Sequence, residues 1–311
     1  MTIKKIEKSC GTHDGSFHAD EVTACALLLL FHLIEKDKIV RSRNPQVLAA
    51  CEYVCDVGGI YDADAKYFDH HQADYQGLLS SAGMVLQYLK TKGFLSPQEY
   101  LFFNNMLVIG VDAHDNGRDP PPLGHASFSH VISTFNPIQH NASREEQNAA
   151  FWHALDFVLG YLKRMRERFA YTESCRESVA RSMAEGKDCL LFDENIPWLE
   201  LFFELNGVDH PALFVIMPSG TQWKLRGIPP SYQQKMQVRL PQPQEWAGLL
   251  EEDLKQVSGI PGAVFCHKGR FISVWNTRQD ALQALKMILK QTGRLSHDDD
   301  FWKNYPRGTT I

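Results

Sequence analysis

Short β-like runs alternate with helical ones through the first 140 residues. Glu7 to Thr12 reads as a strand ending in the turn at Gly11. From Asp20, the stretch EVTACALLLLFHLIE is apolar on nearly every side, the pattern of a buried helix. Lys38–Arg43, Tyr53–Val57 and Lys66–His70 read as further strands, and Ser80–Lys90 as a helix. Ser96-Pro97-Gln98-Glu99 carries a cap Ser, Pro at the first helical position and Glu at N3, which opens a helix towards Val111. Strands and helices alternating in this way predict an α/β fold with a parallel sheet.

Asp119-Pro-Pro-Pro122 interrupts the pattern, and a second capping box, Ser143-Arg-Glu-Glu146, opens a long helical stretch reaching about Glu185. Phe151, Leu155, Val158, Leu162 and Met165 recur on it at helical spacing. Beyond it the sequence predicts strands at 188–192, 212–217, 222–226 and 236–240, then a helix over 243–257. A hairpin in AVFCHKGRFISVW turns at Lys268-Gly269, and a last helix begins near Thr277. The expected organisation is an α/β parallel-sheet domain over 1–142, linker helices over 143–186 and a smaller α+β domain over 187–311.

Composition adds exclusions. The longest apolar run, Ala24 to Ile34, is too short to span a bilayer, and no apolar segment follows the polar start as in a secretory signal. Seven scattered cysteines without a CxxC pair favour reduced thiols, hence a cytoplasmic protein. Residues 1–140 carry 11 Lys and Arg against 16 Asp and Glu, whereas residues 141–311 carry 21 of each. Such a balance excludes a generic basic nucleic-acid binder. It leaves room for a homo-oligomer.

The chemistry-bearing residues fall in four clusters, each near the carboxyl end of an expected element: His13, His18 and Asp20 in GTHDGSFHADE; Asp56 in YVCDVGG; Asp69-His70-His71; and Asp112 with Asp115 in GVDAHDNG. Ligand sites of open α/β sheets form at the carboxyl ends of strands. Carboxylates and imidazoles without thiolates suit Mn²⁺ or Mg²⁺ and, less often, Zn²⁺ or Fe²⁺. Two such cations sharing a carboxylate can clamp both oxygens of a displacement at phosphorus. Taken singly, Asp56 before Gly58-Gly59 reads as a turn initiator, Asp112 and Asp115 as loop caps, and Asp298-Asp-Asp300 as a solvated run. Four clusters in order within about a hundred residues favour the joint reading.

That ordered set resembles the DHH phosphoesterase superfamily, which includes manganese pyrophosphatases, single-strand exonucleases and oligoribonucleases. GTHDGSFHADE, DVGGIYD, FDHHQ, SSAGMVLQYL, VDAHDNG, EWAGLLEEDLKQVSGIPG and AVFCHKGRFI are similar, more narrowly, to the signature blocks of the melanocyte-proliferating-gene exonuclease family. The resemblance implies one metal on His13, His18 and Asp56, and a second on Asp20, Asp56, His70 and Asp112, with Asp56 bridging. It further implies that His71 faces the phosphoryl oxygens and that Asp69 orients a ligand imidazole. One position departs: His18 stands where most of the superfamily carries Asp, one residue nearer the first His, which removes a negative charge. The narrower family shares the His.

By the same resemblance the second domain contacts substrate. Its cationic and aromatic candidates are Trp223, Lys224 and Arg226 on one strand and His267, Lys268 and Arg270 around the hairpin turn. Arginine would hold a phosphate in two places, and Trp would stack on a base. The implied activity is 3′–5′ exonucleolytic hydrolysis of RNA or short single-stranded nucleic acid with two divalent metals, Mn²⁺ or Mg²⁺. Hydrolysis of pyrophosphate or a dinucleotide, and a non-catalytic metal- or nucleotide-binding role, are the alternatives.

Overall fold

A computed structural model describes residues 4–118, 122–139, 141–295, 301–303 and 305. Asp119, Pro120 and Pro121 of the proline run and the acidic run at 298–300 lie outside the described residues. The chain forms two compact units, Met1–Phe169 and Ala170–Ile311.

The first unit contains, in chain order, β1 (Ile6–Thr12), α1 (Ala19–Leu30), β2 (Ile39–Arg41), α2 (Pro45–Ala49), β3 (Cys51–Cys55), β4 (Tyr61–Asp62), β5 (Tyr67–Phe68), α3 (Ser81–Thr91), α4 (Pro97–Phe103), α5 (Ile109–Asp115), α6 (Phe128–Ser133) and most of α7 (Arg144–Ser174). Its sheet runs β2-β1-β3-β5-β4, with β2, β1, β3 and β5 parallel and β4 antiparallel at the edge. The expected parallel sheet is therefore present. Parallel strands put their carboxyl ends on one edge, so the loops after β1, β2, β3 and β5 all leave the sheet on the same side. Cys10, Tyr53, Cys55 and Phe68 enter a large core with α1 and α3, while Val54 and Val57 pack with Leu48 of α2 in a smaller one. Helix α1 is buried except at Leu29, as its uniform apolarity predicts.

The second unit contains α8 (Arg176–Ala184), β6 (Cys189–Leu191), α9 (Leu199–Glu204), β7 (Phe214–Ser219), β8 (Gln222–Gly227), α10 (Glu251–Ser258), β9 (Ala263–Cys266), β10 (Ile272–Trp275) and α11 (Arg278–Gln291). Its sheet, β6-β7-β8-β10-β9, is antiparallel apart from the β6–β7 pair. Alternation along β7 sends Phe214 and Ile216 into one core with α11, and Val215 and Met217 into another with α9.

Several expectations need correction. Residues 236–240 are turns and bends, because Arg239 spends its guanidinium on the carbonyls of Gly207, Val208, His210 and Ala212 and so pins a loop. The helix expected over 243–257 is a 3₁₀ turn at Gln244–Trp246 followed by α10. The helix expected from Ser143 to Glu185 breaks at Cys175. Its apolar stripe, Phe151 to Met165, is buried in the core of the first unit, so this part of the expected linker is built into that unit. The Ser143 capping box is present in both directions, Ser143 N–H to Glu146 Oε2 at 2.7 Å and Glu146 N–H to Ser143 Oγ at 3.2 Å.

The helix opened by Ser96 continues past Val111 to Asp115 through a π-helical segment, Asn104–Val108. Asp112 on it caps the neighbouring helix: Oδ1 accepts from Ser80 N–H at 3.0 Å, Ser80 Oγ–H at 2.8 Å and Gly83 N–H at 3.1 Å. Only glycine allows this approach, since a Cβ at residue 83 would lie 2.3 Å from Asp112 Oδ2. Gly83→Ala should therefore destabilise the protein by about 1–3 kcal/mol through overpacking, despite alanine's better helix propensity. Chemical denaturation of the variant checks this, and a gain in stability would show that the cap can relocate freely.

Candidate metal centre

Three parallel strands deliver the site. His13 follows the last residue of β1, Asp56 that of β3 and Asp69 that of β5. The first turn of α1 adds Asp20 and Glu21, both buried. Asp56 holds a left-handed backbone, φ +56°, which is uncommon for a residue with a side chain, although Asp tolerates it better than most. Its N–H is fixed by Phe68 O at 2.9 Å. Strained backbone of this kind concentrates at functional sites.

Asp56 is the centre of the cluster. Its Oδ2 lies 3.3 Å from His13 Nε2, while Oδ1 lies 3.5 Å from His70 Nε2 and 3.3 Å from His71 Nδ1. Three overlapping sets of donor atoms result: His13, His18, Glu21 and Asp56; Asp56, His70 and His71; and His18, Asp20 and Asp115. Within each set the atoms lie within 4.8 Å of one another. Both oxygens of Asp20, Oδ1 of Asp56 and Nε2 of His70 are buried without a hydrogen-bond partner among the described residues. The 2.9 Å approach of His70 Nε2 to Asp115 Oδ2 is thus a close contact of charges and lacks hydrogen-bond geometry. Buried polar atoms are nearly always paired, so four orphans spread over these overlapping donor sets fit bound cations. The oxygen and imidazole donors suit Mn²⁺ or Mg²⁺.

The structure thus brings together His13, His18, Asp20, Asp56, His70 and His71, all of them expected. Asp112 is the exception: its carboxylate is committed to the α3 cap, and Asp115, three residues on, stands beside His70 instead. Asp69 also differs from expectation. It accepts from His71 Nδ1 at 2.8 Å and from Gly59 N–H at 2.6 Å, so it orients the exposed His71 and leaves His70 to Asp115. Glu21 was missed: it accepts the His18 N–H at 3.0 and 2.9 Å and sits 3.0 Å from His13 Nε2. Its signal was the N3 acid of a capping position in HADE.

The loop from His13 to His18 is strapped from behind. Buried Arg41 donates to Gly15 O, to Gln147 O at 3.2 Å and to Asn148 Oδ1 at 2.9 Å, with its guanidinium over the rings of Phe151 and Phe17, 4.6 and 5.7 Å from their centroids. Asn136 pairs with both the N–H and the C=O of Phe17, at 3.1 and 2.8 Å.

Charge sets the protonation. Burial pulls the His13 imidazolium down, but Asp56 and Glu21 outweigh it and raise His13 to about 10. Asp115, then Asp56, raise His70 to about 10. Burial disfavours the Asp56 carboxylate, yet His13 and His70 hold it at about 2. Burial and the neighbouring Asp56 and Glu21 push Asp20 well up.

In the second unit, Lys224 and Arg226 lie on one face of β8, opposite Val274 and Ile272. Burial lowers both, and Arg226 lowers Lys224 further. His267 accepts the Gly269 N–H at 2.9 Å, and Arg270, with φ +55°, donates to Gln242 O at 3.3 Å. Lys268 is exposed at the tip.

A parallel sheet whose strand ends carry this His/Asp cluster, with an Asp-His-His triplet after β5, is an α/β domain with a cluster of metal-ligating side chains at one sheet edge. A profile of the MYG1 exonuclease family, described as uncharacterised protein family UPF0160, matches residues 9–289, and the chain belongs to that family. The MYG1 protein of Chlamydia trachomatis serovar D is 53% identical over 287 residues, spanning 92% of this chain and 98% of its own. Human MYG1 exonuclease is 32% identical over 331 residues, spanning 92% and 86%. Among solved structures, RecJ of Thermus thermophilus in complex with Mn²⁺ is similar over 93% of this chain and 53% of its own, at 14% identity and a TM-score of 0.28. At that score no residue role passes from RecJ to this chain. No helix among the described residues is long and apolar enough to cross a membrane.

Two outcomes follow for the metal-free protein. His13 and His70 are raised from 6.5 to about 10, so their stabilising contribution is complete below pH 6.5 and lost as pH rises through 10. The melting temperature of the stripped protein should fall between pH 7 and pH 10, and added Mn²⁺ should restore it; a flat profile would show that these protons do not hold the cluster. Separately, Arg41→Met removes charge-assisted bonds worth about 1.5–3 kcal/mol each. It should lower stability and weaken Mn²⁺ binding in calorimetry, whereas unchanged Mn²⁺ affinity in the folded variant would mean that the loop holds its shape unaided.

Proposed function

We propose that the chain is a metal-dependent phosphodiester hydrolase holding two divalent cations, Mn²⁺ or Mg²⁺, on either side of Asp56. The observation that carries this is the division of one buried carboxylate between two donor sets, Oδ2 towards His13 and Oδ1 towards His70 and His71. His13, His18 and Asp56, with Glu21 beside them, would hold one cation. Asp56 and His70, with Asp20 and Asp115, would hold the other. Bound cations of this kind stabilise charge developing on a phosphoryl group and acidify water.

The chain's own residues supply the rest. His71 Nδ1 pairs with Asp69 Oδ1 at 2.8 Å, which fixes the ring and leaves Nε2 to face a phosphoryl oxygen. A cavity of about 590 Å³ opens beside His13, His18, Asp56 and His71, with room for a nucleotide. The substrate we favour is RNA or short single-stranded nucleic acid, cut from the 3′ end; the exonuclease named among the relatives supports a nucleic-acid substrate. Arg226, His267, Lys268 and Arg270 are the second unit's candidate contacts to that strand. Free cysteines throughout support a reducing, cytoplasmic setting.

The test is a panel of labelled oligonucleotides, dinucleotides and pyrophosphate, given to stripped protein with Mn²⁺ or Mg²⁺ added back. Asp56→Asn keeps a residue that tolerates the left-handed backbone and removes the shared charge. It should bind fewer cations by calorimetry and lose hydrolysis of every substrate. Full turnover by a folded Asp56→Asn protein would rule out the two-cation assignment.

A further inference from the structure

Within the metal-centre cavity the lining residues include several carboxylates and imidazoles but one side chain with a permanent positive charge, Arg43. It leaves the carboxyl end of β2, the strand neighbouring β1, so it stands on the sheet edge that carries His13, Asp56 and Asp69. Unlike buried Arg41, it is 65% exposed, and it approaches Asp14 Oδ1 at 3.6 Å, too long for a hydrogen bond. The same cavity is lined by Gly58 and Gly59, with φ of +101° and +67°, where a Cβ would meet no atom within 4 Å. That is open space beside the turn, whose Gly59 N–H is already given to Asp69 Oδ2 at 2.6 Å, so an anion held there calls on a cationic side chain.

We infer that Arg43, which lines this cavity together with the Gly58-Gly59 turn, is a phosphate-gripping residue that holds the backbone of a single-stranded nucleic acid there. The inference rests on the hydrolase reading for its substrate and adds a binding residue to it. Two features favour arginine in the role. Carboxylates crowded around Asp56 repel a polyanion, so an approaching strand needs a fixed cation at the cavity that does not itself ligate metal. A guanidinium also offers paired N–H groups to two phosphate oxygens, geometry that lysine lacks.

The experiment compares full-length wild type, Arg43→Ala and Arg43→Lys, each loaded with Mn²⁺. Mn²⁺ binding is followed by calorimetry, and binding of a fluorescein-labelled RNA hexamer by anisotropy across a salt series. Arg43→Ala should keep its Mn²⁺ isotherm, lose ten-fold or more in hexamer affinity, and show a salt slope smaller by about 0.7, the value for one phosphate contact on a single strand. Arg43→Lys should recover the slope and part of the affinity. Unchanged hexamer affinity in Arg43→Ala overturns the inference, and so does a parallel loss of Mn²⁺ binding, which would make Arg43 a support for the Asp14 loop. Hexamer binding without cleavage in the wild type would sink the hydrolase reading alone, since the anisotropy measurement needs no turnover.

Discussion

Too many carboxylates meet at the strand ends of the first unit for the chain to neutralise by itself. Asp20, Glu21, Asp56 and Asp115 gather around His13, His18 and His70, with Asp69 beside them on His71. Buried Arg41 sits behind the loop and gives its two terminal nitrogens to the carbonyls of Gly15 and Gln147 and to Asn148. Without a cation the repulsion is relieved by protons on two imidazoles and by suppressed ionisation of Asp20. Divalent metal and protons thus compete for the same vacancies of charge, which ties stability, pH and ligation into one equilibrium.

The geometry that imposes this burden comes from the sheet. Four parallel strands bring their carboxyl ends to one edge, and residues far apart in sequence become neighbours there. The elements behind that edge are closely packed: α1 is buried on almost every side, and Cys10 Sγ lies 3.9 Å from Cys25 Sγ and 4.0 Å from Cys55 Sγ, the residue before Asp56. Preorganisation of this sort is what a site holding like charges together requires.

Much of this was legible in the sequence, and the failures are instructive. Strand-end His and Asp residues announced the centre because their spacing coincided with the change from strand to helix periodicity. The choice between Asp112 and Asp115 was not legible, because both lie on one helix three residues apart and either can turn towards a neighbour. Glu21 hid inside an ordinary capping pattern. The turn at 236–240 had the alternation of a strand, but tertiary bonds from Arg239 overrode it. The stripe on α7 showed that the helix has a buried face without showing which unit buries it.

The π-helical segment at Asn104–Val108 constrains how this part of the chain can change in length. Downstream of it, Asp112 turns towards the start of α3 and Asp115 towards His70. Removing one residue ahead of them would rotate both by about 100°, one helical step. The α3 cap and the acid beside His70 would be lost together. A change in length between the π-helical segment and Asp112 is therefore opposed by two unrelated partners at once, and this stretch of helix behaves as a gauge block.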